Sequence, residues 1–254
     1  GDKANIEKEL GALAAHIKNK SGDDVVPQLA QQIKDRLIKT YNIVTYPKAI
    51  PDYESAKAIY HQNCAQCHGE SGAGDGPGAA SMQPKEPKPA NFLDPDLINN
   101  LSPFKAFNTS TFGIEGTAMP NFSALSEEQR WEAAFYIFAL RFSAADVDAG
   151  KKLFEAGKLS PDLVGPATLA TASDGELMAK LADAPGNSEN ALKGLAYLRR
   201  GLVQQRKSDP LLTARSYLKE AIEFYDQGNQ KAAYQSSVDA YLDGFELAEP
   251  ALFA

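Results

Sequence analysis

Apolar residues recur every three or four positions along most of the chain, which is the spacing of one face of an α-helix. Near the N-terminus this pattern predicts a helix over residues 3–19 and a second helix that stops near Pro47. The apolar positions of these two helices are Ile6, Leu10, Leu13 and Ile17, followed by Leu29, Ile33, Leu37, Tyr41 and Val44. No stretch of any length alternates apolar and polar residues as a half-buried strand would. The pattern therefore predicts an all-α protein.

The same spacing predicts helices in the second half of the chain. Ser126 is a predicted N-cap, and Gln129 completes a capping box that opens a helix over residues 126–141. The aromatic stripe of this helix, expected in the core, consists of Trp131, Phe135, Phe138 and Phe142. Asn229 is a predicted cap of the final helix. The expected buried side of that helix consists of Ala233, Val238, Tyr241, Leu242 and Phe245.

Both cysteines of the chain, Cys64 and Cys67, lie in a Cys-x-x-Cys-His sequence that ends at His68, the pattern of covalent c-type haem attachment. Thiols at this spacing lie one helical turn apart and can bond both vinyl groups of one porphyrin, with His68 as the proximal iron ligand. The alternatives are a redox dithiol and half of a zinc site. A zinc site would require two further soft ligands where only His16 and His61 remain, and a dithiol of the thioredoxin type would require a βαβ setting that the flanks lack. We therefore predict one covalent haem c.

Met119 is the candidate for the sixth iron ligand. It lies in a glycine-rich stretch that begins at Gly113, and Pro120 restricts the backbone directly after it. A thioether on a stiff loop suits low-spin iron and raises its reduction potential. The other methionines, Met82 and Met178, lack this setting. The alternative role of Met119 is packing in the core.

Composition narrows the class of protein. The chain has 254 residues, enough for one large domain or two small ones, and its 43% hydrophobic and 23% charged content is ordinary for a soluble protein. A net charge of −7 argues against a general nucleic-acid surface, so we expect no nucleic-acid partner. No apolar run reaches the roughly 20 residues of a spanning helix, and the N-terminus lacks the apolar region of a signal peptide. Because bacteria attach haem covalently outside the inner membrane, we expect a periplasmic segment whose signal has been removed.

An acidic row lies in the last predicted helix. Asp243, Glu246 and Glu249 are three positions apart, so their side chains project from nearly the same side of the helix. Such a row is mildly destabilising unless a cation compensates, and carboxylate oxygens suit hard cations such as Fe(III), Mg(II), Ca(II) or Mn(II). On the residues alone the row is either a solvated acidic face, which is the more common case, or a site for non-haem iron.

Residues 52–142 resemble a class I cytochrome c domain. Residues 53–62 resemble the first helix of that family, the glycine-rich run after the attachment motif resembles its haem-edge loop, Gly-Thr-Ala-Met-Pro resembles its methionine loop, and residues 126–141 resemble its closing helix. The resemblance implies a haem site whose residues are Cys64, Cys67, His68 and Met119.

Residues 210–252, which contain Tyr-Leu-Asp-Gly-Phe-Glu-Leu-Ala-Glu-Pro, resemble the segment before the first membrane span of bacterial high-affinity iron permeases. Some of these permeases carry a fused c-type cytochrome at the N-terminus. The resemblance implies iron delivery into a permease through Glu-x-x-Glu motifs, with Glu246 and Glu249 binding iron before transport. The implied partners are iron ions, a redox partner protein and a membrane permease domain of the same full-length chain, which would tether the module to the inner membrane.

Together these patterns predict an N-terminal helical hairpin over residues 1–50, a monohaem cytochrome c domain over residues 51–146 and a C-terminal helical region over residues 147–254, with the hairpin and the C-terminal helices packed as a bundle. The leading hypothesis is single-electron transfer coupled to iron oxidation, a ferroxidase-type role, and to iron delivery. The first alternative is a generic electron carrier for a respiratory oxidase or dehydrogenase, which has no metal affinity away from the haem. The second is a haem-based sensor or enzyme, which requires an open sixth position that Met119 would fill.

Overall fold

A computed structural model describes residues 2–22, 24–182, 190–205 and 210–252. Throughout these ranges the regular structure is helical and contains no strand, which confirms the predicted all-α class. The chain folds as two compact units, Gly1–Thr45 and Tyr46–Ala254. In the described part of the chain, no helix combines the length and the apolar character needed to cross a membrane.

The first unit is a helical hairpin. Helix α1 (Asp2–Lys18) and helix α2 (Val25–Tyr41) pack against each other, and Ile6 and Ile33 are buried. Helix α2 ends at Tyr41, earlier than the predicted stop near Pro47, because Asn42 adopts a left-handed conformation with φ of 47° and caps the helix. The predicted packing of this hairpin against the C-terminal helices stays a prediction.

The second unit contains the remaining helices, several of which are only one or two turns long. In chain order the first six are α3 (Tyr53–Asn63), α4 (Ala65–His68), α5 (Pro95–Ile98), α6 (Pro103–Phe112), α7 (Glu127–Ala139) and α8 (Ala144–Glu155). A 3₁₀ turn (Pro161–Leu163) is followed by α9 (Pro166–Thr171), α10 (Asp174–Ala182), α11 (Ala191–Ala196), a π-helical turn (Tyr197–Gly201) and α12 (Leu202–Gln205). The last elements are α13 (Pro210–Asp226), α14 (Gln230–Ala240), a second π-helical turn (Tyr241–Phe245) and α15 (Glu246–Leu252).

Helix α7 is the centre of the second unit. The predicted capping box is confirmed, because the Ser126 hydroxyl accepts from the Gln129 amide at 3.1 Å while the Gln129 side chain accepts from the Ser126 amide at 2.9 Å. Every residue from 131 to 139 is buried, since α3, α6 and the first π-helical turn all pack around the helix. The predicted aromatic stripe therefore lies in the core.

The helices that follow residue 142 extend the same core. One cluster of buried apolar side chains includes Phe138 of α7 as well as Leu169, Leu177 and Leu195 of α9, α10 and α11. Helix α8 packs on α11, and α9 packs on α6. The predicted division at residue 146 stays a prediction, but the apolar packing is continuous across that position.

A buried ionic network connects these helices. Arg199, which is fully enclosed, donates to the Asp174 carboxylate at 2.6 Å and to the carbonyl oxygens of Leu169 and Ala172 at 2.5 and 2.7 Å. Arg141 pairs with the second oxygen of the same carboxylate. Two guanidinium groups thus share one buried carboxylate where the end of α7 meets the later helices.

The C-terminal hairpin of α13 and α14 departs from the predicted pattern. Gly244 lies so close to Ala214 that a Cβ there would be 2.5 Å from the Ala214 amide nitrogen. Three residues that were predicted to be buried, Tyr241, Leu242 and Phe245, are instead exposed by 49%, 49% and 42%. The reason is that this helix meets α13 through small residues: Ala233, Ala240 and Gly244 are the buried positions, and the large side chains lie on other faces.

Candidate haem site

The attachment motif occupies a short helical turn. Cys64 ends α3 and begins α4, and its carbonyl oxygen accepts from the amides of Cys67 at 3.1 Å and His68 at 2.9 Å. Both cysteines are free thiols and half-buried. Burial, followed by the proximity of Cys67, raises the pKa of the Cys64 thiol to about 12. The turn therefore presents two thiols together with the histidine that follows them.

His68 is held in one orientation and one tautomer. Its Nδ1 lies 3.1 Å from the carbonyl oxygen of Ala90, and because a carbonyl can only accept, Nδ1 is the protonated nitrogen. The ring stacks on Phe92 with centroids 4.7 Å apart and planes 21° apart. Burial lowers the pKa of His68, although the bond to Ala90 opposes this effect. At neutral pH the ring is therefore neutral with a free Nε2 lone pair, the form that ligates a metal.

The glycine-rich run after His68 positions Ala90. Gly74 donates its amide to the His68 carbonyl at 2.8 Å and has φ of 77°, in the left-handed region that favours glycine. A Cβ at Gly74 would lie 2.6 Å from the carbonyl oxygen of Pro89. The absence of a side chain therefore lets the proline-rich segment approach closely enough for Ala90 to bind the histidine.

Tyr60 connects the motif to the core helix and was not singled out from the sequence. Its buried hydroxyl donates to the Gly69 carbonyl at 2.8 Å, and its ring lies 5.2 Å from that of Tyr136 on α7. Burial raises the pKa of Tyr60 well above its ordinary value, so the phenol remains a donor. The only sequence signal was its position four residues, one helical turn, before Cys64.

The other histidines have partners of their own. His61 pairs with Glu70 and lies 3.4 Å from the Tyr136 hydroxyl, while His16 Nδ1 lies 3.0 Å from the Ser21 hydroxyl.

Met119 lies on a loop held by backbone hydrogen bonds. Its carbonyl accepts from the Ile114 amide at 3.1 Å, and its amide donates to the Thr117 hydroxyl at 3.1 Å. Gly113 begins the loop with φ of 70°, and a Cβ there would lie 2.8 Å from the Asn121 amide nitrogen. The glycines and proline of the sequence therefore produce the stiff turn that was predicted.

Helix α6 carries this loop and is anchored on α7. The ring of Phe107 stacks on that of Trp131 with centroids 4.1 Å apart and planes 11° apart. At the end of α6, Phe112 and Ile114 are exposed by 76% and 49%, while Met119 is half-buried. Large exposed apolar side chains around a presented thioether offer the kind of surface that a porphyrin covers.

These residues fit a covalently attached haem. Cys64 and Cys67 would hold the porphyrin, His68 would supply Nε2 to the iron, and Met119 is the thioether predicted as the sixth ligand. Ligation by His68 and Met119 stays a prediction, as does the count of one haem.

The acidic row lies far along the chain, at the second π-helical turn. Asp243 belongs to that turn, whereas Glu246 and Glu249 belong to α15. Asp243 and Glu246 are exposed and Glu249 is half-buried. Among the described residues, no three or more His, Cys, Asp or Glu side chains form a group that could hold a metal ion. Non-haem iron binding by these three residues stays a prediction.

Residues 53–141 match the family model for cytochrome c. No curated protein matches the chain. Among solved structures, a chain of the reducing HAO-like protein complex of Kuenenia stuttgartiensis is 20% identical, with 63% of the present chain and 100% of that chain covered and a TM-score of 0.31. The match to the cytochrome c family identifies residues 53–141 as a c-type cytochrome domain, which implies covalent haem c and electron transfer.

Proposed function

We propose that this chain is a periplasmic electron-transfer module with one haem c, in which oxidation of iron supplies the electron and the oxidised iron passes to a membrane permease. The observation that carries the electron-transfer part is the setting of His68, neutral and oriented by Ala90 directly beside two thiols. The iron-coupled part is supported by the acidic row and its resemblance to the segment before the spans of iron permeases.

The residues of the site have separate tasks. Cys64 and Cys67 hold the porphyrin through thioether bonds, and the bond from His68 to Ala90 keeps Nε2 directed at one position. Burial of His68 keeps the ring unprotonated and limits the access of water. Bound haem c supplies reversible one-electron oxidation and reduction of its iron.

The role of Met119 distinguishes an electron carrier from a sensor, because a thioether ligand would fill the sixth coordination position of the iron that a sensor needs open. In the haem-loaded protein, Met119→Ala should shift the visible spectrum from low-spin to high-spin and lower the reduction potential. Met178→Ala, a methionine of α10, is the matched control and should leave both properties unchanged. A wild-type spectrum that is already high-spin would favour a haem-based sensor.

The acidic row would present carboxylate oxygens to Fe(II). Loss of one electron converts Fe(II) to Fe(III), which hard oxygen ligands stabilise. Asp243 and Glu246 are exposed, so hydrated iron can reach them without a rearrangement of the fold.

The test is anaerobic addition of Fe(II) to the oxidised, haem-loaded protein, followed by visible spectroscopy. Glu246→Ala/Glu249→Ala should slow reduction strongly while leaving the spectrum of the oxidised protein unchanged. The matched control, Asp148→Ala/Glu155→Ala, removes the same charge from α8 and should reduce at the wild-type rate. Equal rates in all three proteins would remove the two glutamates from the function.

The second candidate is a generic electron carrier for a respiratory oxidase or dehydrogenase. The observation that favours it is the absence, within the described ranges, of any preformed group of acidic, cysteine or histidine side chains that could hold a metal. In that case Fe(II) would reduce all three proteins equally, and iron binding by calorimetry would give no heat.

A further inference from the structure

The second unit contains a cavity that is not part of the haem site. Its volume is about 390 Å³, and it lies between α13, the loop of residues 161–165 and the segment of residues 48–50. The apolar side chains that line it include Ile50, Val164, Leu202, Leu218 and Ile222. A volume of this size falls within the roughly 300–1,000 Å³ range of small-molecule sites, near the lower end.

The charged residues around this cavity are mostly cationic. Lys48, Arg215 and Lys219 line it, against one carboxylate, Asp162. Lys219 lies 3.3 Å from that carboxylate, so the two charges offset each other. Lys48 and Arg215 are exposed, and among the described residues neither is part of an ion pair. The described lining of the cavity therefore carries more positive than negative charge, in a chain whose net charge is −7.

This arrangement selects for one class of ligand. Apolar walls favour a hydrocarbon or aromatic body, because burial of apolar surface is favourable in proportion to its area. The exposed side chains of Lys48 and Arg215 favour a negative group at the mouth, where water still solvates it and the cost of desolvation is small. A cationic ligand would meet repulsion from Lys48 and Arg215, and a neutral one would gain only from the walls.

We propose that the cavity binds a small amphipathic organic anion, with its apolar body against Ile50, Val164 and Leu218 and its carboxylate or sulfonate beside Lys48 and Arg215. This activity is separate from electron transfer and does not depend on the haem site or on the acidic row. It would give the module a second, small-molecule ligand.

Calorimetry with three probes of equal chain length tests the charge selection. Decanoate, 1-decanol and decyltrimethylammonium, each at a concentration at which it is dissolved as monomers, are titrated into the haem-loaded protein. Decanoate should bind most tightly and decyltrimethylammonium most weakly. Equal affinity for all three probes, or no saturable binding of decanoate, would overturn the proposal.

Two variants locate the binding. Lys48→Gln/Arg215→Gln should weaken the affinity for decanoate about fivefold to tenfold, as expected for two partly screened ion pairs, and leave the affinity for decanol unchanged. The control, Lys57→Gln/Lys231→Gln, removes two exposed lysines elsewhere and should bind decanoate like the wild type. Ala49→Phe should narrow the cavity and weaken the binding of both decanoate and decanol, with an unchanged circular dichroism spectrum. Decanoate binding that survives both cavity variants would place it elsewhere and contradict the proposal.

Discussion

Arg199 connects several of the later helices of the second unit. Its guanidinium binds Asp174 and two backbone carbonyls and lies 4.7 Å from the ring centroid of Phe138. Burial lowers the pKa of Arg199, while the Asp174 carboxylate opposes that shift. The Asp174 carboxylate therefore stabilises the positive charge of the buried guanidinium. Removal of Arg199 leaves Asp174 with Arg141 as its remaining cationic partner.

We expect Arg199→Met to lower the free energy of unfolding by about 3–5 kcal/mol, because the buried Asp174 carboxylate loses one of its two cationic partners. Denaturant unfolding measures this change. Lys151→Met is the control, since Lys151 and Glu155 form an exposed pair at 3.8 Å that should contribute less than about 1 kcal/mol. A similar small loss in both variants would show that the network carries little of the stability.

Glu220 should make stability depend on pH. Burial raises the pKa of this carboxyl above the ordinary value of 4.5, while Ser236 donates to it at 2.8 Å. The unfolded chain ionises at a lower pH than the folded one, so this group lowers the free energy of unfolding as pH rises from the ordinary pKa towards the raised one.

Glu220→Gln removes that penalty and keeps an acceptor for Ser236. Its melting temperature relative to the wild type should therefore rise as the pH is increased from 4 to 7. Thermal melts at a series of pH values test this, with the exposed Glu115→Gln as the control that should show no such trend. A difference between Glu220→Gln and the wild type that is constant with pH would contradict the role of burial.

The local structure around the candidate haem residues could be predicted from the sequence because the motifs are local, while their binding of haem stays a prediction. Cys64, Cys67 and His68 share one turn, and the loop of Met119 is held within ten residues of Gly113. Arg199 could not be predicted in the same way, because its partner Asp174 lies 25 residues away. Whether a charge is buried depends on contacts between distant elements, which local spacing does not encode.

At the scale of elements, helix starts were predictable and helix faces were not always so. The caps at Ser126 and Asn229 form the predicted bonds, since a cap depends on residues three positions apart. The two π-helical turns were not predicted, because a period of 3.6 was assumed throughout. The wrong buried face at Tyr241, Leu242 and Phe245 has a different cause, because large apolar residues were expected in the core and the small residues Ala240 and Gly244 are buried instead.

The crossing of α8 and α11 depends on a glycine. A Cβ at Gly150 would lie 2.0 Å from the Lys193 carbonyl oxygen, so Gly150→Ala must push the helices apart and should cost about 1–3 kcal/mol. Gly11 in α1 has open space around it, and Gly11→Ala should instead stabilise by about 0.5–1 kcal/mol. Denaturant unfolding of both variants tests the opposite signs. A gain in stability for Gly150→Ala would be inconsistent with the close crossing.

At the scale of the whole molecule, the second unit is larger than the cytochrome domain that it contains. The family match covers residues 53–141, whereas the compact unit spans Tyr46–Ala254. The sequence predicted a separate region after residue 146 because the motifs end there. The continuous packing from Phe138 to Leu195 arises from apolar residues that carry no motif.

Loss of packing in the later helices should therefore be visible at the haem. Leu195→Ala, a buried residue of α11, should cost about 2–5 kcal/mol and lower the melting temperature seen by haem absorbance and by circular dichroism equally. Leu192→Ala, on the same helix but exposed by 56%, is the control and should change neither. A haem signal that is insensitive to Leu195→Ala would mean that the two parts unfold independently.

Because the later helices share one apolar core with α7, the absorbance of the haem should report whether that core is folded. Chains that unfold in the cell are degraded, so red colour should persist only where helices α8 to α12 still pack with the core helix. A library of substitutions in those helices could be sorted for folding by the pigment of the colonies alone.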